Sequence, residues 1–140
     1  MRLAGVHLAV PAGWQAAAHR QPDGNLLLHA ATVTLPRSRG DFGSDVAQLL
    51  GPDDLFCSLF EYDRSSTREV LFSSHGLPVV RPNDFELGAL QRSRPGQSGA
   101  QYFFQTSGRA FCLFAILGSH SRRVPGALKA NALVRGMSIA

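Results

Sequence analysis

The sequence predicts an α+β fold: an antiparallel β-sheet, a C-terminal helix packed on one of its faces, and a short helix near residues 41–50. Three observations predict it. Ser107-Gly108 separates two apolar runs, 100–106 and 109–117, and a two-residue turn of this kind joins antiparallel strands because Gly adopts φ > 0 freely. Two earlier runs, 26–35 and 55–62, are apolar, rich in β-branched or aromatic residues, and bounded by turn formers. The stretch 121–135 instead spaces its apolar residues for one helical face and stops at Gly136.

Taken in order, Val6 to Val10 is a short strand ended by Pro11, and Pro11-Ala12-Gly13-Trp14 is a turn carrying an aromatic plug. The strand over 26–35 includes Thr32, Val33 and Thr34 and stops at Pro36, before a loop over 37–40. In 41–50, Asp41 or Ser44 caps a helix, Phe42, Val46, Leu49 and Leu50 fall near one face, and Gly51-Pro52 ends it. Residues 55–62 form the next strand and 63–67 a polar turn. Residues 69–72 fit a short strand or one helical turn, since Ser66 and Glu69 have capping-box spacing. Gly76, Pro78 and Pro82 make 73–83 a loop, 84–91 is a strand, and 92–99 is a flexible loop.

The final hairpin fixes a register: Thr106 opposite Arg109, Phe104 opposite Phe111, Tyr102 opposite Leu113, Ala100 opposite Ala115. One face then carries Tyr102, Phe104, Phe111, Leu113, Ala115 and Leu117, and is core. The other mixes Gln101, Phe103 and Gln105 with Cys112, Phe114 and Ile116. In the terminal helix Pro125 suits the first turn, and Val124, Ala127, Leu128, Asn131 and Val134 form the inner stripe.

At 140 residues, 44% hydrophobic and 17% charged, the chain is one domain over 1–140 with enough core to need no disulfide or metal. Its longest apolar runs are too short to cross a bilayer, so no membrane insertion is expected, and the start lacks a signal-peptide pattern, which points to the cytoplasm. The net charge of +4 is uneven. Residues 1–63 carry four Arg against seven acids, and 64–140 carry nine Arg and Lys129 against three. An Arg excess suits a GC-rich bacterial genome, and it also suits a face that holds a small anion. The basic residues are too scattered for a nucleic-acid stripe, and none is expected as partner.

Chemistry-bearing motifs are absent: no GxSxG, HExxH, GxGxxG, CxxC or Walker A sequence, and so no catalytic residue, cofactor or metal site is expected. Cys57 and Cys112 lie in strand-like apolar runs and are expected as buried free thiols. His29 sits among apolar neighbours and is expected to be structural. His75 and His120 lie in Ser/Gly loops, where an unrecognised enzyme site would have to form. Asp84 and Glu86, two apart, are expected as solvated edge charges. The segment 108–114 is superficially like an RNA-binding strand, but its basic residue follows the glycine instead of preceding it.

Two surfaces remain. The mixed face of Gln101, Phe103, Gln105 and Phe114 fits a contact with a protein partner or a second copy of the chain, unless the 41–50 helix covers it. The loop with Arg92 and Arg94, together with Arg109, fits an anion site, unless that loop is simply a mobile connection.

Val10-Pro11-Ala12-Gly13-Trp14, the strand 55–62 after a short helix, and the close Gly108-Arg109-Ala110-Phe111, Gly118-Ser119 and a helix ending near Met137-Ser138-Ile139 together resemble the PsbP/Mog-type α/β/α sandwich group, which includes LpqN- and DcrB-like proteins. The resemblance covers the order of elements along most of the chain. It implies an α/β/α sandwich and a non-enzymatic binding or assembly role, since the group shares no catalytic residues. The expected function is therefore a bacterial binding domain acting by protein contact and self-association. A small-molecule or anion binder using Arg92, Arg94 and Arg109 is the alternative, and an enzyme near His75 or His120 is the third reading.

Overall fold

A computed structural model describes all 140 residues. The hairpin predicted from Ser107-Gly108 forms one side of its large sheet. Both turn residues have positive φ, 54° and 72°, the geometry that matches strand twist. The flanking strands, β6 (Ser98–Thr106) and β7 (Arg109–Leu117), pair in the expected register, Thr106 with Arg109 through Ala100 with Ala115. Ahead of them in the chain come β1 (Arg2–Leu3), β2 (Val6–Leu8), β3 (Gln15–Arg20), β4 (Leu26–Ala31) and β5 (Leu55–Tyr62). Strands β3, β4, β5, β7 and β6, in that spatial order, form one fully antiparallel sheet. After the helix α1 (Arg123–Arg135), β8 (Met137–Ile139) returns to pair with β2, completing a small sheet β1-β2-β8.

The α+β class holds. Each face of the large sheet has its own core, because alternate side chains of a strand point to opposite sides. The helix-side core has 21 buried residues, among them Leu28, Leu55, Leu59, Phe104, Phe111, Leu113 and Leu117, closed by α1 and the small sheet. The opposite core has nine, centred on Val46, Phe56, Phe114 and Ile116. Cys57 belongs to the first core and Cys112 to the second, so the sheet itself separates the two free thiols.

Several elements differ from expectation. Residues 41–50 are not an α-helix: Gly40 and Gly43 take φ of 71° and 76°, and only one 3₁₀ turn, Ala47–Leu49, forms. Gly43 is buried where a Cβ would overlap the Phe56 ring, so this segment is built for close approach and not for helical periodicity. The second face is thus covered by irregular chain, and α1 is the only helical layer. The 69–72 segment is a 3₁₀ turn, Val70–Phe72. The strand expected over 84–91 reduces to one bridge between Glu86 and Gly99. The strand expected to run to 35 ends at Ala31, where Thr32 turns its hydroxyl to Asp54 Oδ1 at 2.8 Å.

The edge strand β3 was not foreseen, since Ala16-Ala17-Ala18 carries little strand propensity. The inner stripe of α1 is also rotated. Gly126, Ala127, Ala130, Leu133 and Val134 face the core, while Val124 and Leu128 are 61% and 67% exposed. Small residues win the inner side because the helix lies close to the sheet: a Cβ on Gly126 would overlap Leu117.

Candidate functional site

β6 is an edge strand, and how its edge is used defines the site. With Thr106 and Arg109 flanking a two-residue turn, bonded and non-bonded pairs alternate down the hairpin. Gly99, Gln101, Phe103 and Gln105 therefore point their main-chain groups away from β7. The two ends of this row are occupied. Gly99 exchanges hydrogen bonds with Glu86 at 3.0 and 2.9 Å, Gln105 N–H donates to Ser74 O at 2.8 Å, and Gly76 N–H donates to Gln105 O at 2.9 Å.

Between these anchors the chain over 77–85 leaves the edge for the helix side. Asn131 of α1 holds Val80 there: its Oδ1 accepts the Val80 N–H and its Nδ2 donates to the Val80 carbonyl, both at 2.8 Å. Val80 and Phe85 are consequently in the core. The N–H and C=O groups of Gln101 and Phe103 are left with no partner in the chain.

Two clefts of about 450 Å³ each open along this stretch. Asp84, Glu86 and Gln101 line one, and Leu77, Pro78, Val79 and Phe103 line the other. Tyr102 borders both. Its hydroxyl donates to Asp84 Oδ2 at 2.7 Å and accepts the Arg81 N–H at 3.0 Å, strapping the 77–85 segment to the strand. Burial, reinforced by the Asp84 carboxylate, pushes the phenol well above its ordinary pKa, so this strap stays protonated and donating. Chemically the stretch offers two donors and two acceptors in strand geometry, with residues 101 and 103 about 7 Å apart. That is the template for an added strand.

The expected contact residues divide. Gln101 is exposed on the open edge. The Phe103 ring is half-buried, packed edge-on against Phe72 at 5.7 Å and tilted against Tyr62 at 6.4 Å. Gln105 Nε2 donates to the carbonyls of Thr67 and Phe72 at 2.9 and 2.7 Å. Phe114 is buried beneath Phe42, 5.8 Å away in edge geometry. As a side-chain surface the patch is closed, by residues 33–50 and 64–72; what is open is the main-chain edge. The anion trio also fails to converge. Arg92 and Arg94 are exposed before β6, whereas Arg109 is buried at the far end of the hairpin, roughly 27 Å along the strand, and ion-paired to Glu61 at 2.7 Å.

His75 is exposed and accompanies β6 only through its main chain. The buried Nδ1 of His120 has no partner, and no serine, threonine or cysteine side chain bonds to either histidine. Burial pushes both thiols up to about 12, the opposite of an activated nucleophile. No three His, Cys, Asp or Glu side chains converge in metal-binding geometry. No helix is long and apolar enough to cross a membrane.

His29 is indeed structural. Its Nδ1 accepts from Arg39 Nε at 2.9 Å, which leaves Nε2 protonated to donate to Asp41 O, also at 2.9 Å. Ser58 Oγ donates to the same carbonyl at 2.7 Å. Burial lowers the His29 pKa to about 4, with Arg39 adding to the effect against the Asp41 bond. Sequence reasoning missed the Tyr102–Asp84–Arg81 strap and the Arg109–Glu61 pair, because both join residues distant in the chain. Comparison with protein-family models, with curated proteins and with solved structures finds no match for this chain.

Proposed function

We propose that this domain is a non-catalytic binding domain that acts by protein contact, taking an extended segment of a partner protein as an added strand along β6. The observation that supports it most is the unpartnered main chain of Gln101 and Phe103, set between two anchored ends beside two clefts. An edge left bare invites pairing, and proteins generally cover or blunt such edges. Here residues 74–76 and 86 cover the ends and the middle stays open. The flanks specify a partner with alternating character: an apolar residue against Leu77, Pro78 and Val79, and a Lys or Arg near Asp84 and Glu86, neither of which has a cationic partner within salt-bridge reach. The resemblance to the PsbP/Mog-type group, whose members share no catalytic residues, supports the same non-catalytic reading.

Gln101→Pro tests it. Proline removes the outward N–H, which no internal bond uses, so an edge strand tolerates it. Peptides selected from a displayed random library should bind the wild type, slow hydrogen exchange of the Gln101 and Phe103 amides, and lose affinity at least tenfold in Gln101→Pro. Unchanged affinity in that variant rejects the edge. If the strand comes from a second copy, native mass spectrometry should show a dimer that the same substitution dissolves.

A further inference from the structure

A second site lies at the opposite end of the hairpin. Three strands place Arg20, Glu61 and Arg109 on the helix-side face at one end of the sheet, and Arg64 follows just after β5. With the Asp23–Asn25 turn and the Ala4-Gly5 turn they line an open polar cavity of about 460 Å³, with Arg20 and Arg64 exposed at its rim. Arg109 forms its floor. Its Nε and one terminal nitrogen grip both oxygens of Glu61 at 2.7 and 3.0 Å, and its other terminal nitrogen donates to the main-chain oxygen of Ala140 at 3.1 Å.

The charges in this cavity are not balanced. Glu61 is ion-paired to Arg109 and accepts the Leu26 N–H at 2.9 Å, whereas Asp23 is bonded only by neutral Asn25 N–H groups at 2.9 and 3.2 Å and keeps its charge, so the lining sets three guanidiniums against two carboxylates. Arg20 spends one N–H on Gly24 O at 3.2 Å, and the Arg64 guanidinium makes no bond at all. Neither has a carboxylate within 4.0 Å, since the molecule's two salt bridges are Arg109–Glu61 and Arg122–Asp53. The rim therefore presents two guanidinium forks without a salt-bridge partner, beside the Asp23 carboxylate and above a buried third guanidinium, and the site is net positive.

Ala4 and Gly5, with φ of 51° and 76°, form the two-residue turn between β1 and β2 and bring this backbone against Arg109. A Cβ on neighbouring Gly5 would stand 3.0 Å from Arg109 Nη1.

We propose that this cavity binds the phosphate group of a small phosphorylated molecule, held by Arg20 and Arg64 over Arg109. Guanidinium forks match phosphate oxygens in paired hydrogen bonds, and the volume falls in the range of small-ligand pockets, larger than phosphate alone needs. This site is independent of the β6 edge, and it replaces Arg92 and Arg94 as the place where the chain's arginines converge.

Thermal-shift and calorimetric titration with inorganic phosphate and with glucose 6-phosphate, against sodium chloride at equal ionic strength, tests it. Both probes should raise the Tm saturably and compete with each other, and Arg20→Ser with Arg64→Ser should weaken each at least tenfold. Arg92→Ala with Arg94→Ala should leave both unchanged. Because Arg109 variants are expected to unfold, the rim pair carries the test. A shift no larger than that from sodium chloride, or one that survives the Arg20/Arg64 double substitution, overturns the proposal.

Discussion

The two faces of the five-stranded sheet are closed in different ways. On the helix side, α1 and the small sheet cover a broad core in which Phe104 and Phe111 stack at 5.6 Å, and side-chain burial does most of the stabilising. On the other side, irregular chain covers a smaller core. An aromatic row, Phe42, Phe60, Tyr62, Phe72 and Phe103, runs beneath it with centroids 4.9 to 5.7 Å apart along Phe42–Phe60–Tyr62–Phe72–Phe103. Here polar pins tie loop carbonyls to the sheet: His29 and Ser58 on Asp41, Gln105 on Thr67 and Phe72, and Gln97 Nε2 on Ala47 at 2.7 Å. A helix satisfies its own backbone and needs only an apolar face, whereas a loop laid over a sheet must have its carbonyls satisfied from below.

That contrast breaks most visibly in a pair of truncations. Phe111→Ala opens a cavity in the helix-side core and should cost about 3–5 kcal/mol, while half-buried Phe42→Ala should cost about 1–2 kcal/mol, both read from urea midpoints. Equal costs would mean that the loop cover is packed as tightly as the helix.

Acid should then sharpen the difference by loosening the loop face first. His29 has a folded pKa of about 4 against an ordinary 6.5, so between these values the unfolded chain holds the extra proton. Stability should fall as pH drops from about 6.5 to about 4, by about 2–3 kcal/mol, and His29→Gln should flatten that slope. The helix side yields later. Burial alone would raise the Glu61 pKa, but the Arg109 hydrogen bonds, the Leu26 N–H and the charges of Arg109 and Arg64 outweigh it and hold the carboxyl low. Its contribution is complete above the unfolded value near 4.5 and is lost as pH falls through the lower folded value. An effect as small as that of Phe42→Ala is expected from Gln105→Ala. Loss of two pins should cost about 1–2 kcal/mol and speed amide exchange at Phe72 and Ser73, leaving α1 protected.

The same contrast explains what was legible in the sequence. The β6–β7 hairpin and β5 were readable because their signals are local: a Ser-Gly turn and continuous apolar runs. The helix was readable as an element, but its facing was not. Val124 and Leu128 are the larger apolar residues, yet a close helix-to-sheet approach favours Gly126, Ala127 and Ala130 on the inside. The loop cover was misread as a helix because Phe42, Val46 and Leu50 do point inward, through positive-φ glycines and not through a 3.6-residue period. Of the binding surfaces expected from the sequence, Gln101 and Phe103 lie on the open edge of β6, while Arg109 lies far from Arg92 and Arg94 and pairs with Glu61. The open edge depends on where 77–85 goes, and the arginine cavity on β3, whose alanines announce no strand.

The pairing of β2 with β8 has a consequence for how the molecule assembles. Val6 meets Ile139 and Leu8 meets Met137, so strands from opposite ends of the sequence lie side by side. Hairpins such as β6–β7 close short loops, whereas this seam closes the longest loop between paired strands and carries the larger entropic cost of closure. Every strand pair of the large sheet lies within residues 15–117, so Val6 and Leu8 are the positions whose partners are synthesised last, and the finished topology is a ring joined at this seam.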